Sequence, residues 1–582
     1  MRNSLSIRKI SAMVVSAAAV VALAACGSGS SASDQTYKTE PSEGTPTSYK
    51  GTLPMPSATK AYNNPLSRDK IKQGGTFTAG ITEIGPDWNE LSVNGNTAYM
   101  ASLWKFYQPQ MWDYSVDGSK ATPNPDYLTS VKLTSTNPET IEFNINPKAN
   151  YNDGTPIDYK SFVSTWKALN GKDSNYTPAV TSGYDQIASV TRGTSDKQAI
   201  VTLSTPYYPY QSLFQNLLNP EAASAATFTK GWENKPHNEW AAGPYIVQSV
   251  SDSQVVFVPN PKWWGNKAKL TKVTFKQMET SASINAFKNG EIDVTSASTA
   301  DRLKTVMSVS DAYIRRAYSS SVNTYTINTK NGAVKDLQVR KALVQAIDRS
   351  QIAKISFQGL SWSEKLPGSV ILPQFQEGYE DNMPAASKYS TANAKKTLQA
   401  DGYKLGSNGY FTKDGKTLDV SYTTFSDDPT IKAEANAMQK MAKSAGIKLD
   451  INIKASSEFS DTVTSGDWEI IGLGWSASDP FGYSSSSYQL YGSDSDSNYS
   501  FAGTKSIDAK LEKVVQTEDP TSAIKLFNTA EKEAQKLYAQ IPTSNGPAIF
   551  AAKKGLANYG PAGYASTFTG VPNHTEDLGW AK

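Results

Sequence analysis

The sequence predicts an α/β protein, because segments that alternate like strands are interleaved with segments of helical periodicity along most of the chain. Residues 74–81 alternate between apolar and polar side chains after a glycine turn, and residues 140–146 alternate as a half-buried strand. Residues 158–170 begin with Asp158, a favourable helix N-cap, and carry apolar side chains on one helical face. These three segments indicate lobes in which sheets pack against helices.

The same signals predict the remaining elements. Glycine closes two of the helices, since it adopts the left-handed conformation that ends a helix at little cost. In chain order the predictions are a helix at 96–105, a turn at 152–156, a strand running into a proline-bounded turn at 254–264, a helix closed by Gly290 with a short strand behind it at 281–294, one helix at 336–354, and a helix, Gly446 and a strand at 431–453.

Composition excludes several classes of function. A net charge of +3 on 582 residues gives no electrostatic support for nucleic-acid binding. Only two histidines are present, far apart in sequence, which disfavours a histidine metal site or a Ser-His-Asp triad. Gly472 and Gly474 lack the Lys-Ser/Thr or third glycine of a phosphate-binding loop. We therefore expect no metal, no cofactor and no enzymatic activity.

The amino terminus predicts export and a lipid anchor. A basic start is followed by an apolar run at 10–22, which is shorter than the roughly 20 residues that span a bilayer and is typical of a secretory signal. Leu23-Ala24-Ala25-Cys26 resembles the bacterial lipobox, in which the cysteine becomes the lipidated first residue. We therefore predict a signal peptide at 1–25, lipidation of Cys26 and anchoring to the outer face of the cell membrane. Residues 26–71, rich in Ser, Thr, Gly and Pro, are predicted to be a flexible linker.

Several motifs occur in an order that resembles a known family. They are "GGTF" at 74–77, "ETIEFNINPKANYNDGTPIDYKSFVSTW" at 139–166, "AAGPYIVQSVSDSQVVFVPNPKWWG" at 241–265, "FKNGEIDV" at 287–294, "INTKNGAVKDLQVRKALVQAIDRSQIAK" at 327–354 and "YAQIP" at 538–542. In order and spacing the chain is similar to the extracytoplasmic solute-binding proteins of peptide-type ABC importers, called family 5 or cluster C, and to their actinobacterial branch.

The resemblance implies an α/β fold with two lobes of the type II periplasmic-binding-protein kind, an added third domain and a ligand cleft between the lobes. By analogy, lobe I is expected at 72–106, 236–326 and 545–582, the added domain at 107–235, and lobe II at 327–544.

The implied function is capture of a short peptide or other small solute and its delivery to ABC permease subunits in the membrane. We expect a monomer that performs no covalent chemistry. The sequence leaves two alternatives open. One is an oligosaccharide ligand, which would stack on the 12 Trp and 30 Tyr rings. The other is a lipoprotein of the same fold that regulates envelope glycolipid synthesis and transports nothing.

The segment 472–492 contains the strongest candidates for ligand contact. In peptide-binding members of the family, an aspartate shortly after a Gly-Trp pair meets the peptide ammonium, and here Gly474-Trp475 precedes Asp479. The spacing departs from that pattern, so Asp479 is equally interpretable as a turn residue before Pro480. Trp475 ends an apolar strand that reaches the cleft in relatives, although a core position would also explain its ring.

Four further residues are candidates, and three of them have a structural alternative. Tyr483 would line the same wall or lie on a solvated Ser/Tyr-rich loop. Asn94 and Asn96 would present a helix start to a ligand or simply cap that helix. Trp362 lies in a segment that approaches the cleft in relatives.

Overall fold

The computed structural model describes residues 36–39, 48–426, 428–477 and 479–582. The predicted signal peptide at 1–25 and the predicted lipidation site Cys26 lie outside these ranges. Among the helices of the described residues, none combines the length and the apolar character needed to cross a bilayer.

A mixed seven-stranded sheet forms lobe I. Its central strand Thr76–Ile81 runs parallel to two neighbours, whereas the outer strands pair in antiparallel fashion. All seven strands fall within the three sequence ranges expected for lobe I. In spatial order they are Tyr245–Ser251, Gln254–Pro259, Lys272–Gln277, Thr76–Ile81, Val294–Ser296, Pro547–Lys553 and Ala312–Tyr318.

A five-stranded sheet forms lobe II, and a four-stranded antiparallel sheet forms the added domain. The strands of lobe II are, in spatial order, Lys448–Lys454, Asp419–Phe425, Ile470–Trp475, Val322–Ile327 and Gln540–Ser544. The strands of the added domain are Leu128–Thr136, Glu139–Ile145, Gln198–Leu203 and Ile187–Arg192. Each of the three sheets has its own buried apolar cluster. The α/β class and the two-lobed architecture with an added domain are confirmed.

The described part of the chain also contains three strand pairs, a small three-stranded sheet and thirteen α-helices. The small strands are Thr36–Lys38, Ser48–Lys50, Trp112–Tyr114, Ala121–Pro123, Lys404–Leu405, Phe411–Lys413, Lys416–Thr417, Leu556–Ala557 and Gly579–Trp580. The helices are Ala98–Tyr107, Tyr159–Leu169, Thr280–Lys288, Ala300–Met307, Leu337–Ala346, Arg349–Phe357, Thr391–Ala400, Pro429–Ser444, Phe459–Ser465, Gly482–Ser485, Ser487–Tyr491, Lys505–Val515 and Pro520–Ala534.

The chain crosses between the lobes at two adjacent places. Residues 319–321 connect strand Ala312–Tyr318 of lobe I to strand Val322–Ile327 of lobe II, and residues 545–546 make the return crossing. The side-chain amide of Asn545 donates to the carbonyl oxygen of Ser321 at 3.0 Å, which joins the two crossings. The first crossing lies a few residues earlier than expected, because Val322–Ile327 pairs with lobe II strands on both sides.

The single helix predicted at 336–354 is wrong, because the structure has two helices there. Leu337–Ala346 ends at Ile347, and Arg349–Phe357 begins after Asp348. The Asp348 carboxylate accepts hydrogen bonds from the backbone nitrogens of Ser350 and Gln351 at 3.0 and 3.3 Å. This side chain supplies an N-cap inside the apolar repeat, so a second helix starts where periodicity alone predicts continuation.

The flexible linker predicted at 26–71 is wrong for its last part, since residues 48–71 pack on lobe I. Leu53 is 5% exposed and Ile71 is fully buried. The Asn64 amide donates to the carbonyl oxygen of Leu556 at 2.9 Å, and a guanidinium nitrogen of Arg316 donates to the carbonyl oxygen of Leu53 at 3.3 Å. Composition predicts that such a segment cannot form its own core, but it does not predict packing on a surface formed elsewhere in the chain.

Candidate functional site

A cavity of about 430 Å³ lies where the two lobes and the added domain meet. Its volume falls in the range of small-molecule sites, and its walls combine apolar and aromatic side chains with many polar ones. Lobe I contributes the loop before helix Ala98–Tyr107 and that helix, and the added domain contributes polar side chains that include Gln215. Lobe II contributes the end of strand Ile470–Trp475 and helix Phe459–Ser465.

Direct contacts join the lobes beside the cavity. In lobe I the carboxylates of Glu83 and Glu279 accept hydrogen bonds from Ser460 and Ser456 of lobe II, respectively. On the side of the added domain, Ser497 of lobe II donates from Oγ to a backbone carbonyl oxygen at 2.9 Å. A molecule inside the cavity would therefore contact both lobes and the added domain.

The lobe I wall is a loop fixed by its own polar side chains. Asp87 accepts from the Asn89 backbone nitrogen at 2.9 Å and from the Ser92 hydroxyl at 2.5 Å. A Cβ atom at Gly95 would lie 2.1 Å from the carbonyl oxygen of Asn89, so only glycine allows this close approach. Thr97, whose Oγ1 accepts from the Met100 backbone nitrogen at 3.0 Å, caps the helix that follows. The loop therefore presents its remaining side chains to the cavity in a fixed geometry.

The predicted site residues Asn94 and Asn96 lie on this loop and line the cavity. Neither is the helix N-cap, because Thr97 occupies that position, so the capping interpretation is wrong. Among the described residues, the structure gives neither asparagine side chain a hydrogen-bond partner, which leaves both amides available on the cavity wall. Contact between a ligand and these two residues stays a prediction.

Asp479 lines the cavity from lobe II and is fully buried. Its carboxylate accepts from the Phe481 backbone nitrogen at 2.6 Å, which is a turn contact, and from Gln215 Nε2 of the added domain at 2.6 Å. The hydroxyl of Ser485 donates to it at 3.2 Å. Burial raises the pKa of Asp479 to about 6, and these three hydrogen bonds act in the opposite direction. Within the described ranges all three donors are neutral, so the carboxylate meets no cation.

Trp475 lies at the end of its strand and lines the cavity. Its ring stacks on Tyr499 with a centroid distance of 6.0 Å and an interplanar angle of 27°. The indole nitrogen is buried and has no hydrogen-bond partner among the described residues. A buried N–H group of this kind is costly unless an acceptor satisfies it, so it is suited to a ligand carbonyl.

Glu90 and Lys105 are charged residues of the cavity wall that the sequence analysis did not identify. The Lys105 ammonium donates to the Asn573 side-chain oxygen at 3.0 Å and lies more than 4 Å from the Glu90 carboxylate. Burial raises the pKa of Glu90 and lowers the pKa of Lys105, and the attraction between the two charges opposes both shifts. The signal for Glu90 in the sequence is a charged side chain inside the loop "GPDWNELSVNGN" at 85–96.

Two predicted site residues do not line the cavity. Tyr483 is 5% exposed and packs in an apolar cluster behind Asp479, where burial raises its pKa to about 12. Trp362 packs on Tyr318 at 5.1 Å between ring centroids, and its indole nitrogen donates to Glu364 at 2.8 Å. Both aromatic rings pack against other side chains, away from the cavity wall, and the neighbouring sequence does not predict this.

One cluster of potential metal ligands lies beside the cavity. Ligand atoms of Asp126, His574 and Glu576 are within 4.8 Å of one another. The two imidazole nitrogens contact Asp113 at 3.2 Å and Glu576 at 3.0 Å, and these carboxylates raise the pKa of His574 to about 11. The ring is therefore an imidazolium at neutral pH, which makes this cluster an ion-pair network between lobe I and the added domain.

Comparison with known proteins identifies related sequences. The model of the bacterial extracellular solute-binding proteins, family 5 Middle, matches residues 122–498. The oligopeptide-binding protein OppA of Mycobacterium tuberculosis is 32% identical over 504 residues, which cover 85% of this chain and 84% of the relative. A second protein of that organism, named "Probable monoacyl phosphatidylinositol tetramannoside-binding protein LpqW", is 23% identical over 434 residues, covering 68% of this chain and 67% of its own.

Solved structures show the same fold. A periplasmic EDTA-binding protein, EppA, superposes with a TM-score of 0.77 at 25% identity, covering 91% of this chain and all of its own. The oligopeptide-binding protein AppA of Bacillus subtilis, in complex with a nonapeptide, gives a TM-score of 0.76 at 17% identity, covering 88% of this chain and all of its own.

Proposed function

This chain belongs to the bacterial extracellular solute-binding proteins of family 5, and we propose that it captures short peptides outside the cell and delivers them to an ABC permease. Capture needs no covalent chemistry, because the lobes bind the ligand by closing over it. The relative at 32% identity is named an oligopeptide-binding protein, which supports the same ligand class here.

The observation that carries the proposal is the Asp479 carboxylate, which is fully buried on the cavity wall and, among the described residues, bonded to neutral donors alone. A buried charge is costly unless an opposite charge meets it, and a peptide ammonium supplies one. Peptide main chains also offer carbonyl oxygens for the free indole N–H of Trp475 and acceptors and donors for the amides of Asn94 and Asn96.

Native mass spectrometry of the purified protein, followed by thermal melting of the ligand-free form with peptide and mannoside sets, tests the function. A bound peptide should raise the stability by about RT ln(1 + [L]/Kd), which is about 2.7 kcal/mol at a hundredfold excess over Kd. A co-purified mannoside, or a thermal shift with mannosides alone, would contradict peptide capture and favour the glycolipid alternative suggested by the relative LpqW.

We also propose that Cys26 carries a lipid that anchors the protein to the outer face of the membrane, and that the protein is a monomer. The Cys26→Ser variant should leave the membrane fraction or remain unprocessed, whereas the wild type should fractionate with membranes. A fully processed variant that stays membrane-bound would overturn the anchor without affecting the ligand proposal.

A further inference from the structure

The charges on the cavity wall do not balance. Among the described residues that line the cavity, three carry a formal charge, namely Glu90, Lys105 and Asp479. Two carboxylates and one ammonium leave the wall with one excess negative charge. A peptide with neutral side chains brings one ammonium and one carboxylate, so its binding leaves that excess unchanged.

Glu90 is the carboxylate that the protein itself leaves without a contact. Among the described residues none donates a hydrogen bond to the Glu90 carboxylate, and no cation lies within 4 Å of it. Asp479 differs, because three neutral donors already bind it. Glu90 is partly exposed and lines the cavity.

Lys105 is bonded to the C-terminal segment and not to Glu90. Its ammonium donates to Asn573, and its backbone carbonyl oxygen accepts from the Thr575 hydroxyl at 3.1 Å. These two bonds attach Lys105 to the C-terminal segment. Asp113 attracts the same ammonium, as Glu90 does. The Lys105 ammonium therefore interacts with two carboxylates of the protein. Because it also lines the cavity, it can meet a ligand carboxylate.

The backbone around Glu90 is fixed. Asn89 accepts from the Leu91 backbone nitrogen at 3.1 Å and donates from its amide to the carbonyl oxygen of Phe228 at 2.8 Å. Glu90 therefore stands between two residues whose positions are set by buried hydrogen bonds. A ligand cation that reaches this carboxylate meets it inside the cavity, on a fixed stretch of backbone, where the attraction is screened less than at the open surface.

We propose that Glu90 makes the cavity selective for peptides that carry a lysine or arginine side chain, whose cation it receives. The inference rests on the proposed peptide-binding function and adds the class of peptide. The ammonium of such a peptide meets Asp479 from lobe II and its basic side chain meets Glu90 from lobe I, so the ligand neutralises both walls and bridges the cleft.

Calorimetry with matched tripeptides tests this. Trialanine is compared with peptides that carry lysine, or its uncharged isostere norleucine, at each of the three positions. In the wild type, lysine should bind at least about tenfold more tightly than norleucine at one position or more, because its cation meets, inside the cavity, a carboxylate that has no other partner among the described residues. In Glu90→Gln that preference should fall below about threefold, while norleucine peptides keep their affinity and show that the variant is folded.

The control is Glu291→Gln, which removes an exposed carboxylate of lobe I outside the cavity and should keep the full lysine preference. The inference is overturned if no lysine peptide exceeds its norleucine counterpart, or if the preference survives in Glu90→Gln. Equal binding of both sets overturns the inference alone and leaves peptide capture intact. Binding of a linear diamine with no binding of any peptide overturns both.

Discussion

The Glu83 carboxylate of lobe I accepts two hydrogen bonds from Ser460 of lobe II, one from the backbone nitrogen at 3.1 Å and one from the hydroxyl at 2.8 Å. Glu279 and Ser456 repeat the arrangement at 2.7 and 2.6 Å. In both pairs a lobe I glutamate meets the start of a helical turn in lobe II. These pairs form only when the lobes are together, so they contribute to closure.

Closure should therefore depend on pH. Burial raises the pKa of Glu83 to about 7 and the nearby Asp461 acts in the same direction, whereas the Ser460 hydrogen bonds oppose both. With the lobes apart Glu83 would meet water and titrate near its ordinary value of about 4.3. The closed form binds the proton more tightly, so closure is favoured below the open-form pKa and that advantage is lost as the pH rises through about 7.

Small-angle X-ray scattering of the ligand-free protein measures this effect as a smaller radius of gyration on the acidic side of neutrality. Glu83→Gln should flatten the profile, while the exposed control Glu291→Gln should keep it. A profile that is flat in the wild type, or equally steep in Glu83→Gln, would show that Glu83 does not govern closure.

Asp479→Asn tests the ammonium contact. Asparagine preserves the turn bond to Phe481 but removes the charge, and loss of one partner of a buried charge pair costs about 2–5 kcal/mol, or roughly 30-fold or more in affinity. An N-acetylated peptide should bind the wild type weakly and lose little further in the variant. Calorimetry on the four combinations decides: equal affinities throughout would leave Asp479 as a turn residue that contacts Gln215 and nothing more.

Trp475→Phe tests the free indole N–H. The ring would still stack on Tyr499, but the donor would be lost, and a neutral hydrogen bond contributes about 0.5–1.5 kcal/mol. We expect affinity to fall by about two- to tenfold and the ligand-induced change in tryptophan emission to shrink. Trp263→Phe, away from the cavity wall, serves as the control. An unchanged emission response in Trp475→Phe would place the ligand elsewhere.

The packed N-terminal segment should contribute to stability. Leu53 is 5% exposed on lobe I, so Leu53→Ala should lower the free energy of unfolding by about 2 kcal/mol or more in urea titrations. Leu526→Ala is the matched control, because Leu526 is 38% exposed on a helix and its truncation should cost less than about 0.5 kcal/mol. Equal losses in the two variants would mean that residues 48–71 add nothing to the fold.

The sequence by itself determined the elements whose causes are local. Asp158 precedes the helix Tyr159–Leu169 and accepts from Lys160, Gly154 turns with a φ of 95°, and Gly446 ends a helix with a φ of 81°. Each depends on a side chain and its near neighbours in the chain, which periodicity and capping patterns detect. The order of such elements also showed the resemblance to the family, and that resemblance predicted the two lobes.

Only the tertiary structure decided which of the candidate residues face the cavity. Trp475, Asp479, Asn94 and Asn96 line it, whereas Trp362 packs against Tyr318 and Tyr483 lies behind Asp479. The sequence around an aromatic residue does not show whether its ring contacts a ligand or another side chain, because segments distant in the chain determine what the ring contacts. The role of Glu90 likewise depends on distant segments, because Lys105 is bonded to Asn573 and Asp479 adds a second carboxylate from the opposite lobe. Local propensity depends on neighbouring residues and can be predicted from the sequence. Charge compensation depends on residues that are distant in sequence and become neighbours only in the folded protein.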